Sequence, residues 1–459
     1  MSTDFGELGI SQAQLTVMSQ LGYRSLTQIQ AQAIPALMQG RDVIGQSQTG
    51  SGKTVAFALP ILEQLSLSDV GLQAVVLCPT RELSAQVARE FRKLGRHHKG
   101  LQVLVLAGGE PIQPQSEALS RGVHVVVGTP GRILDLLGRG ALALQAVRTA
   151  VLDEADRMLD MGFSDDMEKI LRAMPTTRQT ALFSATFPDA IAGISRSHQR
   201  DALRIIVDAG PEMPEIEELC VEAKVEDKFQ ALCWSLARHQ HESALIFCNL
   251  KATISDLCRG LSAAGLSVDA LHGDLEQFDR DQVLAKFRNR SVRLLIATDV
   301  AARGIDIENL DLVVNFELHS QGEIYQHRIG RTGRAGQTGV AVSIVCPWDE
   351  EKLANIERLS GKVMKRVESW TKVDVQELAR DAAFATILIS GGRKDKIRPG
   401  DILGALTGEA GGLSADDVGK IEIHPRLTYV AVSAAVVARA VSSINTGRIK
   451  KKRFRATHV

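Results

Sequence analysis

The chain has 459 residues, 54 Lys+Arg against 54 Asp+Glu, 44% apolar residues and 24% charged ones. That balance excludes a disordered or collagen-like chain, and no run approaches the ~20 apolar residues that span a bilayer. Formal neutrality gives the chain as a whole no bias toward a polyanion or a membrane surface.

The length predicts about two to four domains of roughly 100–200 residues each. The opening "MSTDFGELGIS" has neither the basic region nor the apolar core of a signal peptide, so a soluble cytoplasmic protein is expected. Cys78, Cys220, Cys233, Cys248, Cys258 and Cys346 form no C-x-x-C pair or Cys/His cluster with zinc spacing. They read as buried free thiols of a reducing compartment.

Charge is unevenly placed. Residues 376–459 hold 14 Lys+Arg and 8 Asp+Glu, net +6, which leaves −6 on the first 375 residues. A basic terminal domain on an acidic body predicts a polyanion partner read by the C-terminal part.

In chain order, "DVIG", "AVVLCPT", "VLVLAGG", "HVVVGTP", "TAVLDEAD" and "QTALFSAT" are short apolar strands separated by amphipathic helices such as "RELSAQVAREFRKL". This rhythm predicts βαβ units and a parallel sheet with ligands at the carboxyl ends of its strands. The rhythm returns with "SALIFCN", "SVDALHGD", "RLLIATD", "DLVVNFE" and "GVAVSIVCP". The fold class expected is α/β, with two tandem parallel-sheet domains at 1–208 and 220–372 and a Gly/Pro-bearing acidic linker at 209–219. A third unit, 376–459, reads strand–helix–strand–strand–helix–strand, the small α+β arrangement of RNA-recognition motifs. Its last strand is expected over "KKRFRATHV", with Phe454 on an apolar face.

"SQTGSGKT" (47–54) follows a strand and opens a helix, the context of a phosphate-binding loop. Thr49, Gly50, Ser51, Gly52, Lys53 and Thr54 form the cradle. Glycines let backbone N–H groups approach phosphates, Lys53 reaches the β/γ-phosphates and Thr54 ligates Mg²⁺. Ser47 stands where the general pattern has its first glycine. In "VLDEAD" (151–156), Asp153 fits the Mg²⁺-holding carboxylate and Glu154 the group that orients or deprotonates the attacking water. A γ-phosphate transition state needs added positive charge, and "YQHRIGRTGRAG" (325–336) offers arginines on a glycine-shaped loop.

These motifs resemble the DEAD-box RNA helicases of superfamily 2, over about residues 5–350 and in family order. "GYRSLTQIQ" (22–30) is similar to the Q motif, with Leu26 and Gln28 where prolines are frequent. The resemblance implies two RecA-like domains, ATP with Mg²⁺, and RNA as partner. It implies that Gln30 reads the adenine edge, Phe5 stacks on the base, Asp306 contacts the ribose, and Arg331 and Arg334 are arginine fingers. It places Arg81, Gly109, Thr129 and Arg132 of the first domain, and Gly273 and Thr298 of the second, on the RNA backbone. Ser184, Thr186 and His327 would couple hydrolysis to RNA. Backbone contacts carry no base information, so such a core is sequence-blind.

Residues 376–459 resemble the C-terminal domain of the bacterial DEAD-box protein A subfamily, through "ISGGRKDKIRPGDILGALTGEAG", "DVGKIEIHPRLTYVAVS" and "GRIKKKRFR". The resemblance implies binding of a 23S rRNA hairpin, with pre-50S particles as partners, in a monomer serving large-subunit assembly. The first strand "TILISG" has no aromatic and the third has only Tyr429, which reads as a core residue, so base stacking on the sheet is not expected. Arg393, Lys394, Lys396, Arg398, Lys451 and Arg453 are the expected RNA contacts. Three other readings stay open: an ATP-gated RNA clamp or chaperone with little unwinding, a non-enzymatic scaffold, and a DNA-acting helicase.

Overall fold

The computed structural model describes residues 4–47, 50–207, 216–239, 241–302, 310–333, 338–380, 382–408 and 411–459. The chain divides into two compact units, the first over residues 1–212 and the second mainly over 213–459.

The first unit contains seven strands: β1 (Val43–Gln46), β2 (Ala74–Leu77), β3 (Val103–Leu106), β4 (Val125–Gly128), β5 (Thr149–Asp153), β6 (Gln179–Ser184) and β7 (Leu203–Ile206). They form one sheet in the order β3-β4-β2-β5-β6-β1-β7, parallel throughout. Burial on both faces makes the central strands near-continuous apolar runs, as in β2 and β4, every residue of which is buried. The helix Arg81–Leu94 shows how a flanking helix is specified. Leu83, Val87, Phe91 and Leu94 recur at helical spacing and are buried, while Glu82, Arg92 and Lys93 stay on the other faces. Each such side chain contributes about 1.5–3 kcal/mol by leaving water. Thr80 caps the helix, its hydroxyl accepting from the Leu83 N–H at 3.2 Å.

The second unit contains β8 (Ile216–Glu222), β9 (Ala244–Phe247), β10 (Val268–Leu271), β11 (Leu294–Ala297), β12 (Leu312–Asn315), β13 (Gly339–Val345) and β14 (Lys365–Arg366). Their order, β10-β11-β9-β12-β13-β8-β14, is the permutation of the first sheet repeated strand for strand. Part of the expected linker therefore differs: Ile216–Glu222 is a strand paired with β13 and β14. Leu219, Cys220 and Val221 are buried beside the exposed Glu217 and Glu222, and the half-buried Glu218 accepts from the Tyr325 hydroxyl at 2.6 Å. The rest of that linker, 209–215, lies outside the described residues. Val367, Trp370, Val373, Val375 and Leu378 pack on this domain's core, so the chain leaves the second sheet later than composition suggests.

The same unit carries a third sheet of β15 (Phe384–Ile389), β16 (Val418–Ile423), β17 (Thr428–Ser433) and β18 (Ala456–His458), antiparallel, in the order β16-β17-β15-β18. Helices Pro399–Thr407 and Val437–Thr446 cover one face, where Ala385, Ile387, Ile389, Val430 and Val432 meet Ile402, Leu406, Ala440 and Ile444. The expected terminal strand is shorter than read. Only Ala456–His458 pairs with β15, while Lys450 and Lys451 have φ of 50° and 67° and turn a tight loop closed by Ile449 and Lys452. Positive φ at two consecutive residues is incompatible with a strand. Phe454 does pack on the apolar core.

Candidate functional site

The phosphate-binding loop leaves β1 and enters the helix Lys53–Gln64 through Gly50 and Gly52, whose φ of 80° and 90° only glycine adopts without strain. Lys53 is buried and its ammonium donates to the Ser47 carbonyl at 2.8 Å. Ser47 and Ser51 hydroxyls share a 2.8 Å hydrogen bond, and the Ser47 N–H donates to the Ser184 carbonyl at 3.0 Å. The loop is thus anchored to β6, the strand leading into "SAT". Thr54 opens the helix beside Lys53, and Thr49 lies outside the described residues.

Gln30 accepts from the Thr27 N–H at 3.0 Å and donates to the Gly52 carbonyl at 3.1 Å, so it ties the Q motif to the phosphate loop. A Cβ at Gly52 would stand 2.4 Å from the Gln30 amide nitrogen, which gives that glycine a second reason. Phe5 is seated in the apolar cluster with its ring edge-on to Tyr23, centroids 6.3 Å apart.

Asp153 ends β5 and is 3% exposed, with Oδ1 buried and no protein hydrogen-bond partner. Burial pushes its carboxyl up to about 7, opposed by Lys53 and assisted by Glu154. A desolvated carboxylate oxygen pointing at no donor, next to a phosphate loop, fits a divalent cation. Glu154 has φ 53° and ψ 52°, left-handed backbone that costs a non-glycine residue about 1–3 kcal/mol and concentrates at functional sites. Its carboxylate lies 3.5 Å from the buried Arg157 guanidinium.

Asp156 was missed by sequence reasoning and is the joint of this half. One carboxylate oxygen accepts from the Ala185 N–H (3.1 Å), the Thr186 N–H (2.8 Å) and the Thr186 hydroxyl (3.0 Å). The Ser184 hydroxyl accepts from the Asp156 N–H at 3.2 Å. The last acid of "DEAD" therefore holds "SAT" through charge-assisted bonds. The spacing of the two motifs carried no sign of it.

Arg81, Gly109, Thr129 and Arg132 are brought together beyond the carboxyl ends of β2, β3 and β4. Arg81 donates to the Gly108 carbonyl at 3.4 Å, and a Cβ on Gly109 (φ 78°) would come within 1.9 Å of the Arg81 guanidinium. Arg132 donates to the Glu110 carbonyl at 3.1 Å and to Gln115 at 3.0 Å. Thr129 is the N-cap residue of the helix Pro130–Gly138.

In the second unit, Gly273 follows β10 in open space and Thr298 follows β11, its hydroxyl accepting from the Ala301 N–H at 3.4 Å. Arg328 is the unexpected residue here. It is 1% exposed and donates to Asp299 twice at 2.6 Å, to Asn249 at 2.7 Å, and to Asn315 and the Glu317 carbonyl at 3.1 and 2.6 Å. Its guanidinium also lies 5.0 Å over the Phe247 ring. Of the three clustered arginines this one is structural, joining "FCN" to "ATD". His327 is half-buried on the same helix and Arg331 is 8% exposed at its end. Arg334 and Asp306 lie outside the described residues.

In the third sheet, Arg393, Lys394 and Lys396 follow β15 and meet the β16–β17 turn, with Arg393 and Lys394 N–H groups donating to His424 and Pro425 carbonyls at 2.9 Å. Lys450 donates to the Lys396 carbonyl at 2.6 Å and pairs with Asp401 at 2.9 Å, which brings Lys451 and Arg453 to the same end of the sheet. Arg398 is the N-cap residue of the helix Pro399–Thr407, and its N–H donates to the Asp401 carboxylate at 2.7 Å. Among the described residues no His/Cys/Asp/Glu group could hold a structural metal, and no helix is long and apolar enough to cross a membrane. The six cysteines are unpaired.

Two parallel sheets of one topology, the first bearing a phosphate loop and a paired-acid strand end, define a tandem RecA-like ATPase. The family comparisons agree. The DEAD/DEAH box helicase model matches residues 27–194, the helicase conserved C-terminal domain 227–336, and the DbpA RNA binding domain 386–458. The chain belongs to the DEAD-box ATP-dependent RNA helicases, in the form that carries a DbpA RNA-binding domain, and it hydrolyses ATP. It is 48% identical to the ATP-dependent RNA helicase DbpA of Escherichia coli strain K12, over 96% of both chains. It is 44% identical to the DEAD-box ATP-dependent RNA helicase CshA of Bacillus cereus, over 80% of this chain and 70% of that one. Among solved structures, S. cerevisiae Dbp5 bound to RNA and ADP BeF3 superposes with a TM-score of 0.72 at 33% identity, spanning 83% of this chain and all of that one.

Proposed function

We propose that this helicase remodels structured ribosomal RNA, with 23S rRNA of the assembling large subunit as its target in the cytoplasm, and that it works as a monomer. The observation that carries the reading is the gathering of Arg393, Lys394, Lys396, Lys450, Lys451 and Arg453 at one end of the third sheet. A compact cationic rim on a small folded domain suits a folded RNA element, which is recognised by shape and phosphate contacts. The rim then acts as a tether that raises the local concentration of nearby RNA at the sequence-blind motifs.

In the ATP half, Gly50 to Thr54 cradle the phosphates and Lys53 exchanges the Ser47 carbonyl for phosphate oxygens. Asp153 and Thr54 would hold Mg²⁺, which supplies charge neutralisation of the phosphates when bound. Glu154 orients the attacking water. Asp156 transmits the state of the "DEAD" turn to "SAT" through Thr186. Arg331 and Arg334 act as the fingers, Asp306 contacts the ribose, and Gln30 and Phe5 recognise the adenine, a reading that the order of the motifs in the sequence supports. Asp156, by holding "SAT", favours an RNA-coupled motor over a scaffold with a decayed ATP site.

Crosslinking of the full chain to cellular RNA, with the crosslinks mapped, tests the target. The expected result is a dominant site in one 23S rRNA hairpin that depends on Lys396, Lys451 and Arg453. Crosslinks scattered over messenger RNA, unchanged when those cations are replaced, would overturn the assignment.

A further inference from the structure

We propose that the second RecA-like domain carries a binding site for a small phosphate-bearing molecule, formed by Arg293, Arg380 and His241 at the edge of the sheet opposite the helicase motifs. A cavity of about 160 Å³ lies there. Its apolar wall is made by Leu236 of the helix Lys228–Arg238, with Leu266, Leu294 and Leu378. Leu266 precedes β10 and Arg293 precedes β11, so the cavity sits at the amino-terminal ends of those strands. Gly273 and Thr298 follow the same strands at their carboxyl ends, four residues or ~13 Å along. Open α/β sheets bind their nucleotides at the carboxyl ends, so this cavity is a separate place from that machinery.

Three groups give the cavity its chemistry. His241 is 6% exposed, and its Nδ1 is buried with no hydrogen-bond partner. Burial, with the Arg293 guanidinium nearby, pushes the imidazole down to about 4, so it is neutral at pH 7 and can donate one N–H. Arg293 donates to the His241 carbonyl, and burial and the Arg380 charge push its guanidinium below the ordinary value. The acids of this edge are engaged elsewhere. Glu242 pairs with Arg290, Asp311 accepts from the Glu242 and Ser243 N–H groups at 2.9 Å, and Asp374 accepts from the Gln376 N–H at 3.0 Å. Among the described residues, neither Arg293 nor Arg380 forms an ion pair with a carboxylate. Two like charges beside a buried, unpartnered imidazole cost free energy until an anion offsets them. A phosphate brings two negative charges and three oxygens, enough for both guanidinium groups and the imidazole N–H. The leucine wall favours a phosphate carried on a short apolar body, a phosphomonoester, over free phosphate.

The full chain, kept saturated with ADP and Mg²⁺ so that the phosphate loop is occupied, is titrated with inorganic phosphate and with phenyl phosphate. Hydrogen exchange of residues 373–380 and the NMR titration of the His241 ring are followed in the wild type, R380Q and K451Q. Arg380 is exposed, so R380Q leaves the fold intact. Phenyl phosphate should slow exchange of 373–380 saturably and bind more tightly than inorganic phosphate. It should also raise the pH midpoint of His241, because a bound anion offsets Arg293, Arg380 and His239, as Asp311 does in part already. R380Q removes one charged donor and should weaken binding about tenfold or more. K451Q, on the cationic rim of the third sheet, should leave it unchanged. Equal affinity for the two probes would keep the phosphate seat and refute the apolar body. No saturable slowing of 373–380, an unmoved His241 midpoint, or slowing that survives R380Q and is lost in K451Q would overturn the site.

Discussion

Replacing Asp153 by Asn should stabilise the ligand-free protein, and by an amount that depends on pH. The buried carboxyl is pushed up to about 7 from an ordinary value of 3.8. Between those values the unfolded chain has released a proton that the folded chain still holds, so stability falls as pH rises through that window. Ionising Asp153 inside the fold costs ~1.36 kcal/mol per unit, or up to about 4 kcal/mol at pH 8, and almost nothing below pH 4. Asn has no such cost. For a body of about 200 residues this corresponds to a rise in Tm on the order of 10 °C at pH 8. Thermal unfolding of both forms, scanned from pH 4.5 to 8.5, checks it. Adding ATP with Mg²⁺ should raise the Tm of the wild type at pH 8 and leave Asp153→Asn nearly unmoved. A Tm difference that is flat with pH, or a variant less stable than wild type at pH 8, would refute the view that Asp153 is a desolvated carboxylate awaiting a cation.

Other residues give sharper local tests. Gly109→Ala puts a Cβ where the Arg81 guanidinium lies, so the half-saturating RNA concentration should rise about tenfold, ~1.4 kcal/mol, with the KM for ATP unchanged. Asp156→Asn swaps an acceptor of three hydrogen bonds for a group that is half donor, and duplex opening should fall more than ATP turnover; equal losses would contradict its coupling role. Arg328→Ala leaves Asp299 and Asn249 without their buried partner and should cost about 3–5 kcal/mol in urea unfolding of the second half, the usual penalty for a stranded charge. An unchanged midpoint would show that the arginine is not structural.

The strands that end in "DVIG", "AVVLCPT", "VVVG" and "LIF" were legible because central parallel strands are apolar on both faces. Edge and late-entering strands were not. Leu203–Ile206 alternates exposure at the sheet edge, and Ile216–Glu222 hides an apolar stretch among acids that read as linker. The phosphate loop and the acids of β5 were legible because their chemistry is local. Asp156 holding "SAT" and Arg328 joining "FCN" to "ATD" are contacts between segments 30 and 79 residues apart, and no local pattern announces them. Tyr429 is buried as expected of a lone strand aromatic, but the helix Gln277–Arg288 does the burying rather than the domain's own core. The basic terminus was read as one strand because Phe454 and Ala456 alternate with cations. The positive φ of Lys450 and Lys451 turns the chain instead, and the Lys450 ammonium donates to the Lys396 carbonyl.

Steady-state ATP hydrolysis by the full chain, without RNA, with 23S rRNA and with an equal mass of unrelated messenger RNA, tests the central claim most directly. Turnover should be low alone and rise most with 23S rRNA at the lowest RNA concentration. It should fall by about 10²–10⁴-fold in Glu154→Gln, the range for loss of a positioned general base. RNA-independent hydrolysis, or activity that survives the Glu154→Gln change, would contradict an RNA-coupled ATPase built on these residues.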